Sequence, residues 1–236
     1  MRSNTYTIVF TSIVTIILGF FLALAADGLR ELQNLNVEND MKKNILLSLG
    51  FKPGGEIPWT SDEIQELFEE NIEAIVLDAS GQKTNKDPKD IDTEKDVDFL
   101  PIYMTKFGED VGGYAIPIAG KGLWSTLYGY FSVEPDGRTV KGITFYKHGE
   151  TPGLGGEVDK AWFQQNFIGK RFVDDNDQLL GIHIIKGKVQ SDDREAYHKV
   201  DGISGATMTG KGLQNFLKDD LEKYEPFFKQ VRRIQG

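Results

Sequence analysis

The sequence lacks cysteine and is poor in histidine, and these two features exclude several chemistries. Its 236 residues include no cysteine and 3 histidines. Without thiols the chain forms no disulfide, offers no thiolate nucleophile and cannot hold zinc or an iron–sulfur cluster through cysteine. The histidines, His148, His183 and His198, are too scattered to predict a metal site. Any redox chemistry therefore depends on a bound organic cofactor.

Basic residues are also in the minority. The chain carries 27 Lys and Arg against 36 Asp and Glu, for a formal net charge of −9. An acidic protein is repelled by phosphate backbones, so nucleic acid is not an expected partner. With 39% hydrophobic residues the chain can still bury the core of one sizeable domain.

Charge is absent altogether from Ser3 to Ala26. Within this stretch Ile8–Ala26 is close to the roughly 20 apolar residues that span a bilayer as a helix. We predict a transmembrane anchor over residues 1–27 that crosses the lipid bilayer through residues 6–26. A cleaved signal peptide stays open as an alternative, because Ala23-Leu24-Ala25 fits a cleavage site. Arg2, before the apolar run, favours a cytoplasmic amino terminus and an extracytoplasmic domain.

The polar remainder has the periodicities of one mixed domain. Leucines from Leu29 to Leu49 recur at helical spacing before Gly50, which predicts a juxtamembrane helix and connector over residues 28–60. Thr60 and Glu63 fit a capping box for a helix to about Glu70. We assign residues 61–236 to the folded domain.

Further along, the hydrophobic pattern changes to that of strands. The predicted strands are Ala74–Leu77, Gly113–Ile118, Leu127–Val133, Val140–Tyr146 and Leu180–Ile185, separated by turns at residues 134–137 and 174–177 and by a polar loop at residues 82–98. Strands joined by short turns indicate an antiparallel sheet. A terminal helix over residues 211–231 is expected to bend or break at Pro226. The predicted class is α+β.

Two glycine-rich segments stand outside this pattern. The first is Glu150-Thr151-Pro152-Gly153-Leu154-Gly155-Gly156, whose bare backbone can lie against a ligand. The second runs from Asp201 to Thr209 and precedes the terminal helix. Its free backbone N–H groups would favour a phosphate at the helix start. Alternatively, its hydroxyl side chains only cap the helix. Although residues 205–211 read G-x-x-x-x-G-K, Gly212 replaces the magnesium-binding Ser or Thr, which argues against a nucleotide-hydrolysing loop.

The segment Ser204-Gly205-Ala206-Thr207, with Asp201-Gly-Ile before it and Met-Thr209 after it, resembles the flavinylation signature of the FMN-binding domains of bacterial respiratory complexes. The loop at residues 150–156 and the stretch Gly122-Leu123-Trp124-Ser125 resemble flavin-lining parts of the same family. With the anchor, the resemblance spans nearly the whole chain. Within this family, the chain resembles the C subunits of sodium-translocating NADH:quinone oxidoreductases and, as an alternative, the G subunits of Rnf electron-transport complexes.

The resemblance implies a one-electron-transfer subunit with FMN esterified through its phosphate to Thr207. It further implies a flavin transferase, other subunits of a membrane complex as partners, and a domain on the outer side of the cell membrane. Two other possibilities remain open, a flavin-free extracytoplasmic binding domain and a secreted protein. No catalytic acid–base arrangement and no metal site are predicted. The expected cofactor-binding residues are Thr207, Ser204, Gly205, Ala206, Thr209, Glu150, Thr151, Leu154, Gly155, Leu123 and Trp124. Gly202 is expected to admit the phosphate, and Lys188 and Lys211 to balance its charge.

Overall fold

The computed structural model describes residues 3–55, 57–91, 96, 98–108 and 110–235. The chain divides into two compact units, residues 1–40 and residues 41–236. The helices are α1 (Asn4–Ser48), α2 (Ser61–Asn71), α3 (Ala161–Gln164) and α4 (Thr207–Gln235). The strands are β1 (Ile72–Asp78), β2 (Phe99–Phe107), β3 (Asp110–Lys121), β4 (Thr126–Val133), β5 (Val140–Lys147), β6 (His183–Ile184) and β7 (Lys199–Val200). Short 3₁₀ helices lie at Pro88–Asp90, Gly155–Asp159, Gln165–Phe167 and Ala196–His198.

The first unit is helical from Asn4 onward and belongs to α1. This helix contains an 18-residue window with a mean hydropathy of 2.6, none of it buried, so it is long and apolar enough to cross a membrane. It indicates a membrane anchor, as the uncharged run predicts. Arg2, on which the predicted orientation rests, lies outside the described residues.

The second unit is built on a five-stranded antiparallel sheet in the order β1-β2-β3-β4-β5. Each strand pairs with its neighbour in sequence, which confirms the predicted α+β class with consecutive antiparallel strands. Strand β2 was not predicted from the sequence. Pro101 lies within it and charged residues lie near its ends, and these obscure the alternation of apolar and polar residues that is typical of a strand. The loop predicted over residues 82–98 lies partly outside the described residues. Its first part pairs with β1 through a Leu77–Lys83 bridge.

The expected strand Leu180–Ile185 is wrong in both extent and partner. Only His183–Ile184 is a strand, and it pairs in parallel with Lys199–Val200 in a separate two-stranded sheet. Gly181 and Gly187 adopt positive φ on either side, which ends the extended backbone. The N–H of Ile184 donates to the Gln214 side chain instead of to a strand of the main sheet.

Two hydrophobic clusters cover the two faces of the main sheet. On one face, strand side chains such as Ile116 and Phe131 pack against Leu213, Leu217 and Phe228 of α4. On the other, Ala115 and Tyr130 pack with Ile45 and Leu46 from the end of α1 and with Ile64 of α2. Burial of these apolar faces is the main favourable contribution to the fold.

The predicted helix boundaries are mostly confirmed. Gly50, at a φ of +92°, follows the end of α1. Thr60 and Glu63 form the expected capping box of α2. Helix α4 begins at Thr207, four residues before the predicted start, and continues through Pro226, so the interruption expected there does not occur.

Helix α4 also closes a gap in the sheet. The β2–β3 pairing reaches only from Phe107–Asp110 to Tyr103–Ala115. Beyond it the Tyr224 hydroxyl donates to the Pro101 carbonyl at 2.8 Å, and the Ala119 N–H donates to Asp220 at 3.0 Å. A cavity of about 380 Å³ lies at this gap, lined by Asp220 and Tyr224.

Candidate functional site

Three segments that are far apart in sequence meet at the carboxylate of Glu150. Oε1 accepts the backbone N–H groups of Leu123, Trp124 and Ser125 at 3.1, 2.9 and 3.1 Å. Oε2 accepts the hydroxyl of Thr209 at 2.7 Å. These four bonds connect the loop between β3 and β4, the segment after β5 and the first turn of α4. We call these four hydrogen bonds the Glu150 clamp.

Glu150 is a buried anion, only 4% exposed. Burial is the largest single influence on its pKa and raises it. The donors from Thr209, Ser125, Trp124 and Leu123 oppose this effect and together bring the pKa below the usual value for glutamate. The carboxylate is therefore ionised at neutral pH, held in a concave row of N–H groups that is typical of anion sites.

Two glycines make room for this carboxylate. A Cβ on Gly122 would lie 2.7 Å from Glu150 Oε1. A Cβ on Gly155 would lie 2.6 Å from Glu150 Oε2 and 2.6 Å from the hydroxyl of Thr209. The space beside each glycine is thus filled by protein atoms. Gly155 was expected to face the flavin, but it is buried against the clamp, so its missing side chain has a packing cause.

Thr207 is the first residue of α4 and is exposed. Before it, Ala206 is buried and Gly205 adopts a φ of +74°, a conformation that favours glycine. Within the described part of the chain, the N–H groups of Ser204, Gly205, Thr207 and Met208 donate to no protein acceptor. Such a helix start, with free N–H groups and the positive end of the helix dipole, favours an anion.

A cleft of about 650 Å³ opens beside Thr207. This volume lies within the range of small-molecule and cofactor sites, about 300–1,000 Å³. The cleft is lined by Gly153, Glu157, Trp162, Asn166, Lys186, Gly187, Lys188, Asp201, Gly202, Ile203, Ser204, Gly205 and Thr207. It thus combines backbone donors, two lysines and an aromatic ring with the exposed hydroxyls of Ser204 and Thr207.

Large apolar side chains are exposed in the same three segments. Leu123, Trp124, Leu154 and Met208 are 43%, 68%, 42% and 56% exposed. Leu154 lies against the segment that precedes α4, since a Cβ on Gly205 would lie 2.8 Å from the Cδ2 of Leu154. Clustered exposed apolar groups beside a polar cleft are typical of a binding surface.

The structure thus places the predicted site residues in three groups. Thr207, Ser204 and Gly205 line the cleft. Leu123, Trp124, Leu154 and the turn residue Thr151 are exposed but are not among the residues that line it. Glu150, Gly155, Ala206 and Thr209 are buried beneath.

The structure bears on the expected roles of four further residues. Thr209 was expected to bind the cofactor, but its hydroxyl is 1% exposed and donates to Glu150. Gly202, which is expected to admit a phosphate, lines the cleft, and a Cβ on it would also overlap the carbonyl oxygen of Ile185 at 2.0 Å, so the adjacent backbone requires glycine there as well. Lys188 lines the cleft as expected, whereas Lys211 is absent from its lining.

Sequence reasoning missed the opposite wall of the cleft. Trp162 lines it at 46% exposure, with its indole N–H donating to Glu157 at 2.9 Å. Lys186 joins Lys188 on the other side of Gly187. The sequence Lys186-Gly187-Lys188, a glycine between two cations, could have indicated an anion-binding segment here. The residues next to Trp162 in sequence show no comparable pattern.

Comparisons with known proteins agree with this geometry. Residues 122–222 match the model of the FMN-binding domain family. This range begins at the loop held by Glu150 and includes the cleft and Thr207. The fold and the site therefore define an FMN-binding domain protein.

Full-length relatives narrow the assignment. The chain is 34% identical to the C subunit of the Na(+)-translocating NADH-quinone reductase of Vibrio anguillarum, over 98% of both chains. It is 35% identical to the corresponding subunit of Neisseria meningitidis, over 88% of this chain and 86% of the relative. The chain belongs to the family formed by the C subunits of Na(+)-translocating NADH-quinone reductases. The resemblance found in the sequence is confirmed.

Solved structures show the same fold. The crystal structure of the C subunit of the Na(+)-translocating NADH-quinone reductase from Parabacteroides distasonis has a TM-score of 0.73 at 32% identity, over 85% of this chain and 96% of that one. The crystal structure of Shewanella oneidensis NqrC has a TM-score of 0.70 at 27% identity, over 83% and 97%.

Proposed function

We propose that this chain is the FMN-carrying, one-electron-transfer subunit of a sodium-translocating NADH:quinone reductase, with FMN attached through a phosphoester to Thr207. The observation that carries the proposal is the exposed hydroxyl of Thr207, at a helix start with free N–H groups and at the edge of a cofactor-sized cleft. The family match of residues 122–222 supports FMN as the occupant.

The residues present fit the parts of FMN. The free N–H groups of Ser204, Gly205, Thr207 and Met208 and the lysines at 186 and 188 suit a phosphate, because they supply donors and positive charge. The exposed side chains of Leu123, Trp124 and Leu154 suit a planar apolar ring. Phosphate and ring thus have chemically matched groups in the segments that surround Thr207 in sequence and in the Glu150 clamp.

Attachment requires help from a second protein. A threonine hydroxyl is a weak nucleophile at neutral pH, and an installing flavin transferase supplies the activating base. The Thr207 oxygen forms a bond to the flavin-bearing phosphorus of FAD, the pyrophosphate bond breaks, AMP leaves, and the hydroxyl proton passes to the transferase. The role of this chain is to present Thr207 exposed and in fixed orientation.

Once bound, FMN supplies electron transfer between neighbouring centres of the complex. The chain's own contribution is to retain the cofactor, orient it and set the polarity around it. The relatives are named as one subunit of a larger reductase, so the expected partners are the other subunits. We further propose that α1 anchors the chain in the cell membrane, with the second unit on the outer side.

The test is the intact mass of the full chain, produced with and without the transferase. The wild type should gain the mass of one FMN phosphoester only with the transferase. Thr207→Ala should gain none, while its stability should change by no more than about 0.5 kcal/mol, because the side chain is exposed on the surface. Ser204→Ala, which removes the other exposed hydroxyl of the cleft lining, is the matched control and should be flavinylated like the wild type.

Two outcomes contradict the proposal. Flavin mass on Thr207→Ala would move the attachment to another residue. A wild type that gains no mass with an active transferase would favour a domain that binds its ligand without a covalent bond. Thr207→Ser should keep some attachment, because the hydroxyl survives.

A further inference from the structure

We propose that Glu150 is a positioning residue for flavinylation, acting through the loop at residues 122–125 and through Thr209 rather than by touching the flavin. This inference rests on the proposed function. In this proposal the buried carboxylate of Glu150 holds two parts of the site. One is the loop at residues 122–125, which carries the apolar side chains proposed to contact the flavin ring, and the other is the start of α4, which carries Thr207.

The first arm of the clamp shapes the loop. Three consecutive N–H groups, from Leu123 to Ser125, converge on the single atom Oε1. A backbone curved around one oxygen turns its side chains outward, and Trp124 is 68% exposed. Exposing a large apolar side chain to water is unfavourable, so this conformation of the loop needs support from other interactions. Hydrogen bonds to a charged acceptor are stronger than those to a neutral one, and three of them hold the backbone of this loop.

The second arm fixes the start of α4. The hydroxyl of Thr209, two residues after Thr207, donates to Oε2 at 2.7 Å in a buried environment. Gly155 is packed against both atoms of this bond. Because Thr207 and Thr209 share the first turn of the helix, fixing one limits the movement of the other.

The carboxylate has no direct role left at the cofactor. Glu150 is 4% exposed, both of its oxygens are occupied by protein donors, and it is not among the residues lining the cleft. Its influence on the attachment site must therefore pass through the loop and the helix. This distinguishes a positioning residue from a cofactor ligand.

The first experiment measures the clamp without any flavin. Amide hydrogen exchange is followed on the full chain in detergent, made without the transferase. In Glu150→Ala the amides of Leu123, Trp124 and Ser125 should exchange about tenfold faster or more, since their acceptor is gone. Glu150→Gln keeps a carbonyl oxygen of the same reach and should stay within about threefold of the wild type, because only charge assistance is lost.

The second experiment measures the rate of FMN attachment by the transferase. A displacement near 1 Å at a reacting group can cost about 100-fold in rate, so Glu150→Ala should be slower by tenfold or more. Thr209→Val cuts only the second arm at equal size and should also slow attachment, with the amides at 123–125 still protected. Thr209→Ser restores the hydroxyl and should restore the rate.

The outcomes separate this inference from the proposed function. Unchanged exchange in Glu150→Ala, or wild-type attachment rates in both Glu150→Ala and Thr209→Val, would overturn the positioning role while leaving Thr207 as the attachment residue. Slow attachment to Glu150→Gln with its amides protected would show that charge, not position, matters, and would also overturn it. If Glu150→Ala fails to fold, Thr209→Val and its serine rescue decide. Failure of wild-type attachment instead refutes the proposed function, and the exchange experiment still tests the clamp.

Discussion

Replacing Gly155 with alanine should destabilise the second unit by disturbing the Glu150 clamp. The added Cβ would lie 2.6 Å from both Glu150 Oε2 and the Thr209 hydroxyl, about 0.8 Å inside ordinary contact at 3.4 Å. Overpacking of a rigid interior costs about 1–3 kcal/mol, and weakening a hydrogen bond to a buried charge adds up to about 1.5–3 kcal/mol. We expect a total of about 3 kcal/mol, which corresponds to a melting temperature lower by roughly 6–12 °C in a unit of this size.

Gly153 provides the matched control two residues earlier. Its φ is +74° and a Cβ there would meet nothing within 4 Å, so Gly153→Ala carries only the backbone cost of about 1–2 kcal/mol. The assay is thermal unfolding of the full chain in detergent, followed by tryptophan fluorescence. The flavin absorption spectrum is recorded on the flavinylated samples. Gly155→Ala should have a lower melting temperature than Gly153→Ala. Its flavin absorption spectrum should nevertheless change less than that of Gly153→Ala.

A double-mutant cycle of Gly155→Ala and Thr209→Ala tests whether the added methyl group contacts the Thr209 side chain. Thr209→Ala removes one of the two atoms that the new methyl group would strike. The cost of Gly155→Ala in that background should therefore fall by about 0.5 kcal/mol or more. Strictly additive effects, or equal melting temperatures for Gly155→Ala and Gly153→Ala, would mean that protein atoms do not fill this space. A changed flavin spectrum with unchanged stability would restore the original expectation that Gly155 lines the flavin.

Two further predictions concern the rest of the chain. Burial raises the pKa of Asp220 above its usual value, against the opposing effects of Lys223 and the Ala119 N–H. A carboxyl group whose pKa is higher in the folded than in the unfolded state lowers the free energy of unfolding when it is ionised. This loss of stability is absent below the unfolded pKa of about 3.8 and complete above the folded pKa. The melting temperature of Asp220→Asn should therefore rise relative to that of the wild type as pH increases from about 4 to 7. Asp219→Asn should gain less, because the Asp219 charge is only one of the smaller causes of the raised Asp220 pKa, and a pH-independent difference for Asp220→Asn would contradict the prediction. For the proposed outward placement of the second unit, protease added to intact spheroplasts should digest it, whereas protection until lysis would place it in the cytoplasm.

The sequence alone determined the features that depend on near neighbours in the chain. The apolar run before Asp27, the capping box at Thr60 and Glu63, and four of the five main strands each carry their signal within a few residues. Thr207 was nominated from an equally short segment, because the resemblance to the flavinylation signature lies in contiguous residues, and its role as the attachment residue remains a proposal. Such local patterns reflect backbone preferences and hydrophobic periodicity, which act over short distances.

Only the tertiary structure decided what the neighbours of Thr207 do. Glu150 meets Thr209 across 59 positions of sequence and the loop at residues 123–125 across 25 to 27. No local pattern records such a contact, so Glu150 was expected to bind the cofactor, whereas in the structure it is buried and joins three segments of the protein. Strand β2 and the Trp162 wall of the cleft were missed for the same reason. Their positions are set by long-range packing of the sheet and α4, and packing overrides what each short segment would indicate by itself.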